Sequence, residues 1–158
     1  YGMAGLILEL IEEKDYKVDT EIIPGITAAN AAASILGAPL MHDYAVISLS
    51  DLLTPWEQIE IRLKKAAAAD FITALYNPKS SSRTEQIKIA REIYLNHRSG
   101  NTPVGIVRKA GRNGEEKAIT NLEDMLTEKI DMLTTVIIGN SNTYAVKDKM
   151  ITPRGYKL

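Results

Sequence analysis

The stretch "EIIPGITAANAAASILGAPL" (residues 21–40) reads as a strand handing over to a helix. The β-branched residues of "KVDTEII" (17–23) predict a short strand, and Pro24-Gly25, suited to the centre of a type II turn, stops it. Thr27 is placed to cap a helix over 28–36, Gly37 supplies its stop, and Pro39 lies just beyond. That helix is built almost wholly from alanine and other small side chains, which lets something come close. A neighbouring backbone is one answer. A ligand resting on the helix start, where free N–H groups and the positive end of the dipole favour polar or negative groups, is the other. Both fit, on different faces of the helix.

Working outward, Leu6, Ile7, Leu10 and Ile11 predict an amphipathic helix over 3–13. "YAVISLS" (44–50) reads as a strand. "TPWE" (54–57) predicts a capping box, with Thr54 as N-cap, Pro55 at the first helical position and Glu57 closing it, for a helix to about residue 69. "DFITALY" (70–76) is a buried strand, and "SRTE" (82–85) is a second capping box opening a helix over 83–97. "PVGIV" (103–107) is a strand and "KAIT" returns from it. Asn121 with Asp124 begins a short helix, "TTVIIG" (134–139) is a buried strand, and "TYAVKDKMIT" forms a terminal hairpin turning at Lys147-Asp148. Strands alternating with helices imply βαβ units. The expectation is a single α/β domain over 1–158, with a mixed, mostly parallel sheet covered on both faces and the terminal hairpin pairing antiparallel at one edge.

Bulk composition narrows the function classes. With 45% hydrophobic and 25% charged residues and a formal net charge of −1, the chain does not resemble a general binder of nucleic acid or anionic membranes. It has no cysteine, which removes disulfides, thiolate metal sites and a cysteine nucleophile. No apolar run approaches the ~20 residues that span a bilayer. His42 and His97 stand alone, so no metal is expected, and Asp43 and Asp51 are acids or bases by type only. Glycine fingerprints of dinucleotide and P-loop sites are absent, and no serine sits in a nucleophile elbow. The chain starts without an initiator Met, signal-peptide basic region or leading strand, and is expected to be the later part of a longer protein.

In open α/β sheets, ligands bind beyond the carboxyl ends of strands. Four such exits are expected to gather on one rim: "PGITA" (24–28), "YNPKSSSR" (76–83), "RKAGRNG" (108–114) and "GNSNTY" (139–144). Tyr76 is suited to stack on a planar ring, beside the amide of Asn77. Lys79, Arg83, Arg108 and Arg112 place cations there, which points to a small anionic ligand. Solvated loops and capped helices account for the same residues without a ligand.

"PGITA", "SLSDLLTPWE" (48–57), "ALYNPKSSSR" (74–83), "TPVGIVRKAGRNGE" (102–115) and "TTVIIGNS" (134–141) resemble the tetrapyrrole methylases over almost the whole chain. Within them the likeness is to the branch that methylates carbon 17 of precorrin-3B or cobalt-precorrin-3, with ring contraction, in cobalamin biosynthesis. The resemblance implies two α/β domains with S-adenosylmethionine in the cleft between them, a tetrapyrrole substrate in an adjoining trough, and a cytoplasmic homodimer. This chain would supply the C-terminal domain and the linking helix. By motif, Thr27, Ala28, Tyr76 and Ala110 match positions at the cofactor, with Asn77 and Asn140 as neighbours; Lys79, Arg83, Arg108 and Arg112 are the candidates for substrate carboxylates. The "GDPG" turn and an earlier Gly/Pro-rich loop of the family do not occur in these residues, so the chain alone is expected to be a poor methyltransferase. The rival readings are a methylase of the same superfamily acting at another ring carbon, and a non-catalytic dimerisation or regulatory domain.

Overall fold

The close approach expected of the small-residue helix is present, and its partner is a glycine in the sheet. In the computed structural model, which describes residues 2–156, α2 (Ala28–Leu36) buries Ala29, Ala32, Ala33 and Leu36. A Cβ on Gly105, in β4 (Pro103–Arg108), would stand 2.3 Å from Leu36 Cδ1. Helix and strand therefore meet where one of them has no side chain. Thr27 accepts the Asn30 N–H at 3.3 Å as the expected cap, and Gly37 ends the helix at φ 127°.

The main sheet has five strands: β2 (Tyr44–Ser48), β3 (Ile72–Tyr76), β4, β5 (Glu116–Asn121) and β6 (Thr134–Ile138), in the order β2-β3-β6-β4-β5. β2 pairs parallel with β3, whereas β3–β6, β6–β4 and β4–β5 are antiparallel. The mixed α/β architecture is as expected; the mostly parallel pairing is not. The crossover helices do align β2, β3 and β4 in one direction, as βαβ units require. The chain then turns back through β5 and inserts β6 into the gap between β3 and β4, so two of the co-directional strands never touch. Alternation of strand and helix fixes direction but not which strand fills a gap.

The terminal hairpin forms as expected from β7 (Tyr144–Val146) and β8 (Lys149–Ile151), with Lys147 at φ 53°. It does not extend the main sheet. It pairs instead with β1 (Gly37–Ala38), parallel to β8, in a separate three-stranded sheet.

Alternate residues of the main sheet face opposite layers. Leu75, Ile106, Val136 and Ile138 pack under α3 (Trp56–Ala68) and α4 (Gln86–Leu95) through Ile59, Leu63, Ile87 and Tyr94. Ile72, Ala74, Val107 and Ile137 pack under α2. α1 (Gly2–Glu13) forms where the periodicity places it but buries no residue, leaving Met3, Leu6, Ile7 and Leu10 exposed.

Three local expectations are corrected. Residues 17–23 are exposed and form no strand, because a β-rich segment needs a neighbour to pair with. α3 starts one residue late, with Pro55 at its N-cap and no side-chain cap, so the Thr54 capping box is not made. α4 starts at Gln86 without a side-chain cap; the serine run caps its own loop instead, Ser80 Oγ accepting the Arg83 N–H at 3.0 Å. Of the expected 1–158 domain, residues 1, 157 and 158 lie outside the described residues.

Candidate ligand site

Because β2, β3 and β4 point the same way, their carboxyl ends open on one rim, and the antiparallel β6 begins there. A cavity of about 450 Å³ occupies this rim. The start of α2 contributes Ile26, Ala28 and Ala31, and the exit of β3 contributes Tyr76 and Asn77. The exit of β4 contributes Lys109, Ala110 and Arg112, and the entry to β6 contributes Met132, Leu133, Thr134 and Thr135.

Three of the four expected loops thus meet. The fourth does not: "GNSNTY" leaves β6 at the opposite end of the sheet. Asn140 is buried there, its Oδ1 accepting the Asn142 N–H at 3.0 Å and the Thr143 hydroxyl at 3.1 Å. The single rim for all four loops is overturned by the reversed direction of β6. In place of its exit, the turn before β6 lines the cavity.

Tyr76 links two walls. Its hydroxyl accepts the Ala29 N–H at 2.7 Å, and Thr27 Oγ1 accepts that of Asn30, so two donors at the helix start are already engaged. The Ala28 N–H makes no hydrogen bond among the described residues. Thr27 itself borders a smaller pocket toward α1 rather than the main cavity.

Both strand exits turn sharply into the left-handed region, Asn77 at φ 49° and Lys109 at φ 54°. Non-glycine residues held in that region are enriched where loops are shaped around ligands. Asn77 is fixed by its Nδ2 donating to Ser48 Oγ at 2.9 Å, and its carbonyl accepts Arg83 Nη2 at 2.8 Å. Lys109 N–H donates to Leu133 O at 2.8 Å, tying the exit of β4 to the turn before β6.

The four expected cations separate into two kinds. Arg83 is committed internally, to Asn77 O and to Met132 Sδ at 3.4 Å. Arg108 is committed to Asp131 at 2.5 Å and Glu116 at 3.3 Å, which raises its already high pKa. Both are therefore already engaged within the fold, Arg108 by carboxylates and Arg83 by a carbonyl and a thioether. Arg112 lines the main cavity, and Lys79 lines a neighbouring pocket that shares Met132 and Leu133 with it. Neither makes an ion pair among the described residues.

Two polar groups that sequence reasoning missed organise the frame. Asp131 accepts Leu133 N–H at 2.8 Å, the Thr134 hydroxyl at 3.1 Å and Arg108 Nε. Burial pushes its carboxyl up, but the hydrogen bonds from Arg108, Leu133 and Thr134 outweigh it and leave the pKa lowered. Asp131 with Thr134 three residues on was the legible sign of a side-chain-braced turn. At the far rim, the Arg98 side chain is buried, donates to the Gly139 and Phe71 carbonyls, and lies 4.7 Å from the centroid of the Tyr94 ring. Burial lowers the Arg98 pKa and pushes the Tyr94 phenol up to about 12.

Residues 1–126 match the model of the tetrapyrrole (corrin/porphyrin) methylases. The cobalt-factor III methyltransferase of Priestia megaterium is 58% identical over 99% of this chain and 30% of its own length. The probable cobalt-factor III C(17)-methyltransferase of Salmonella typhimurium is 52% identical over 100% of this chain and 66% of its own. This chain therefore spans less than two thirds of the length of either relative. The solved structure of the methyltransferase CobJ superposes with a TM-score of 0.88 at 37% identity, over 96% of this chain and 64% of that one. Cobalt precorrin-4 methyltransferase, CbiF, superposes at 0.67 with 28% identity. On the family match over most of its length and the fold it shares with these enzymes, the chain belongs to the tetrapyrrole methylase family.

Proposed function

We propose that the full protein is an S-adenosylmethionine-dependent C-methyltransferase of cobalamin biosynthesis, acting on precorrin-3B or cobalt-precorrin-3 at carbon 17 with ring contraction. The observation that carries this reading is the cavity where the start of α2 meets the exits of β3 and β4, with Ala28, Ala31 and Ala110 among its lining residues. The names of its relatives support the methyl transfer: that of Priestia megaterium is named cobalt-factor III methyltransferase and that of Salmonella typhimurium probable cobalt-factor III C(17)-methyltransferase.

The cavity suits the cofactor on chemical grounds. Ala28, Ala31 and Ala110 leave backbone open to an adenosine-sized group, and the Ala28 N–H has no other partner among the described residues. Lys109 and Arg112 offer charge to a carboxylate, and Tyr76 offers a ring and, beyond the bond it accepts, a hydroxyl proton to donate. Bound there, S-adenosylmethionine would supply an electrophilic methyl group whose sulfonium charge is lost in transfer.

The chain's own residues then have to hold rather than activate. Correct alignment of two reacting groups is worth about 7–11 kcal/mol, and a wall of backbone and braced turns provides it without a catalytic triad. Tyr76 fixed on Ala29, Asn77 fixed on Ser48, and Lys109 fixed on Leu133 are such braces. The reading extends to a cytoplasmic homodimer, for which the exposed apolar side chains of α1 offer contact surface.

Calorimetric titration of S-adenosylhomocysteine into the full-length protein tests the reading, followed by mass and NMR analysis of the product. Binding with one methyl added at carbon 17 supports it. Methylation at another carbon identifies a different member of the superfamily, and no binding identifies a domain without the chemistry.

A further inference from the structure

A second cavity, of about 360 Å³, opens at the exit of β2, and Asn77 lines both it and the first. Its wall includes Ser48, Ser50, Leu52, Leu53 and Thr54, with Ile59 and Arg62 of α3. No carboxylate lines it. Asp51, between Ser50 and Leu52, is turned away to Gln86, whose Nε2 donates to it at 2.9 Å. Ser48 Oγ accepts both the Asn77 amide and the Ser50 N–H at 3.2 Å, which leaves the hydroxyl proton to donate. Thr54, released from the capping role its position suggests, makes no hydrogen bond among the described residues, and neither does the Arg62 guanidinium. Donors without acceptors gather here around one exposed cation.

Beside them Leu52 and Leu53 are 83% and 93% exposed. Two adjacent bare leucines next to a free arginine match a ligand that is broad and apolar in its body and carries carboxylates at its edge. We infer that this cavity holds the carboxylate-bearing edge of the macrocyclic substrate, with Arg62 on a side-chain carboxylate and Leu52 and Leu53 against the ring. The inference rests on the methylase reading of the adjoining cavity. It adds a substrate subsite, shared through Asn77 with the cofactor side, and it makes Arg62 rather than Arg83 or Arg108 the cation that meets the substrate.

The test uses the full-length protein, with uroporphyrin as the tetrapyrrole polycarboxylate probe, followed by fluorescence quenching, and S-adenosylhomocysteine followed by calorimetry. Arg62 is exposed, so its replacement leaves the core intact. Arg62→Ala should weaken uroporphyrin about tenfold, as loss of one charge-assisted hydrogen bond does, while the affinity for S-adenosylhomocysteine stays the same. Arg62→Lys should recover part of the loss, and Leu53→Ser should weaken the porphyrin independently. If Arg62→Ala binds uroporphyrin like the wild type, or wild type binds S-adenosylhomocysteine but no uroporphyrin, the subsite is wrong and the methylase reading survives. If wild type binds neither, both fall together.

Discussion

The Tyr76 hydroxyl accepts the backbone N–H of Ala29 at 2.7 Å, joining the last residue of β3 to the first turn of α2. Ala29 is fully buried, so without this oxygen its N–H has no partner. Tyr76→Phe should lower unfolding stability by about 1–2 kcal/mol, the cost of an orphaned buried donor. Urea denaturation checks this. The same variant should weaken S-adenosylhomocysteine, because the cavity wall loses its brace.

Ala28 stands at the mouth of the cavity with its N–H open. A leucine there would project into space proposed for the cofactor while touching nothing in the core, since Ala28 is exposed. Ala28→Leu in the full-length protein should leave the melting temperature near wild type and weaken S-adenosylhomocysteine at least tenfold in calorimetry. Unchanged affinity would remove the cofactor from this cavity.

Gly105 and Leu36 set how near α2 comes to the sheet. A methyl at Gly105 would lie 2.3 Å from Leu36 Cδ1 and 2.9 Å from Cδ2. Both atoms belong to one fully buried side chain in a packed layer. Gly105→Ala should therefore cost about 1–3 kcal/mol, the range for overpacking. Leu36→Ala combined with Gly105→Ala should cost less than the sum of the two single variants, because the clash goes with the leucine; strict additivity would separate the two positions.

The helices, five of the strands and the terminal turn were legible because each carries a local signal: period, β-branching, or a Pro and Gly at its ends. What was not legible is where β6 goes. Nothing in "TTVIIG" distinguishes a strand that joins the sheet edge from one inserted between β3 and β4; that depends on the whole layer. This one insertion moved Asn140 to the far rim and brought the Met132–Thr135 turn to the near one. The internal pairing of two arginines was hidden for a related reason. Arg83 and Arg108 look free in the sequence because one partner of each, Met132 and Asp131, is more than twenty residues away, and the nearer ones, the Asn77 carbonyl and Glu116, depend on how the chain turns.

Asp131 braces the turn that carries Met132 and Leu133, and its pKa is lowered by its partners in the folded state. A depressed carboxyl contributes stability that is present above its unfolded pKa, about 4, and lost as pH falls through the folded value. The wild type should thus lose stability on acidification below about pH 4. Asp131→Asn should be less stable at neutral pH and show a shallower acid limb in urea midpoints measured across that window. Parallel limbs in the two proteins would show that the carboxylate contributes nothing through its charge.

Arg83 links two residues that line the cavity, its Nη2 donating to Asn77 O and to Met132 Sδ, and its Nε is buried without a partner. A single nitrogen that donates to both walls holds them in register. Arg83→Lys keeps the charge but replaces the planar Nη2 group, fixed in place to donate to both anchors, with a rotatable ammonium. If Arg83 positions the loop, Arg83→Lys should raise the KM of cofactor and of macrocycle together, several-fold each, and release Asn77 from its strained conformation. If it were a substrate-binding cation, lysine would largely preserve the charge contact and only the macrocycle's KM would change. The comparison of the two KM values separates positioning from recognition, and the anchors at 2.8 Å and 3.4 Å favour positioning.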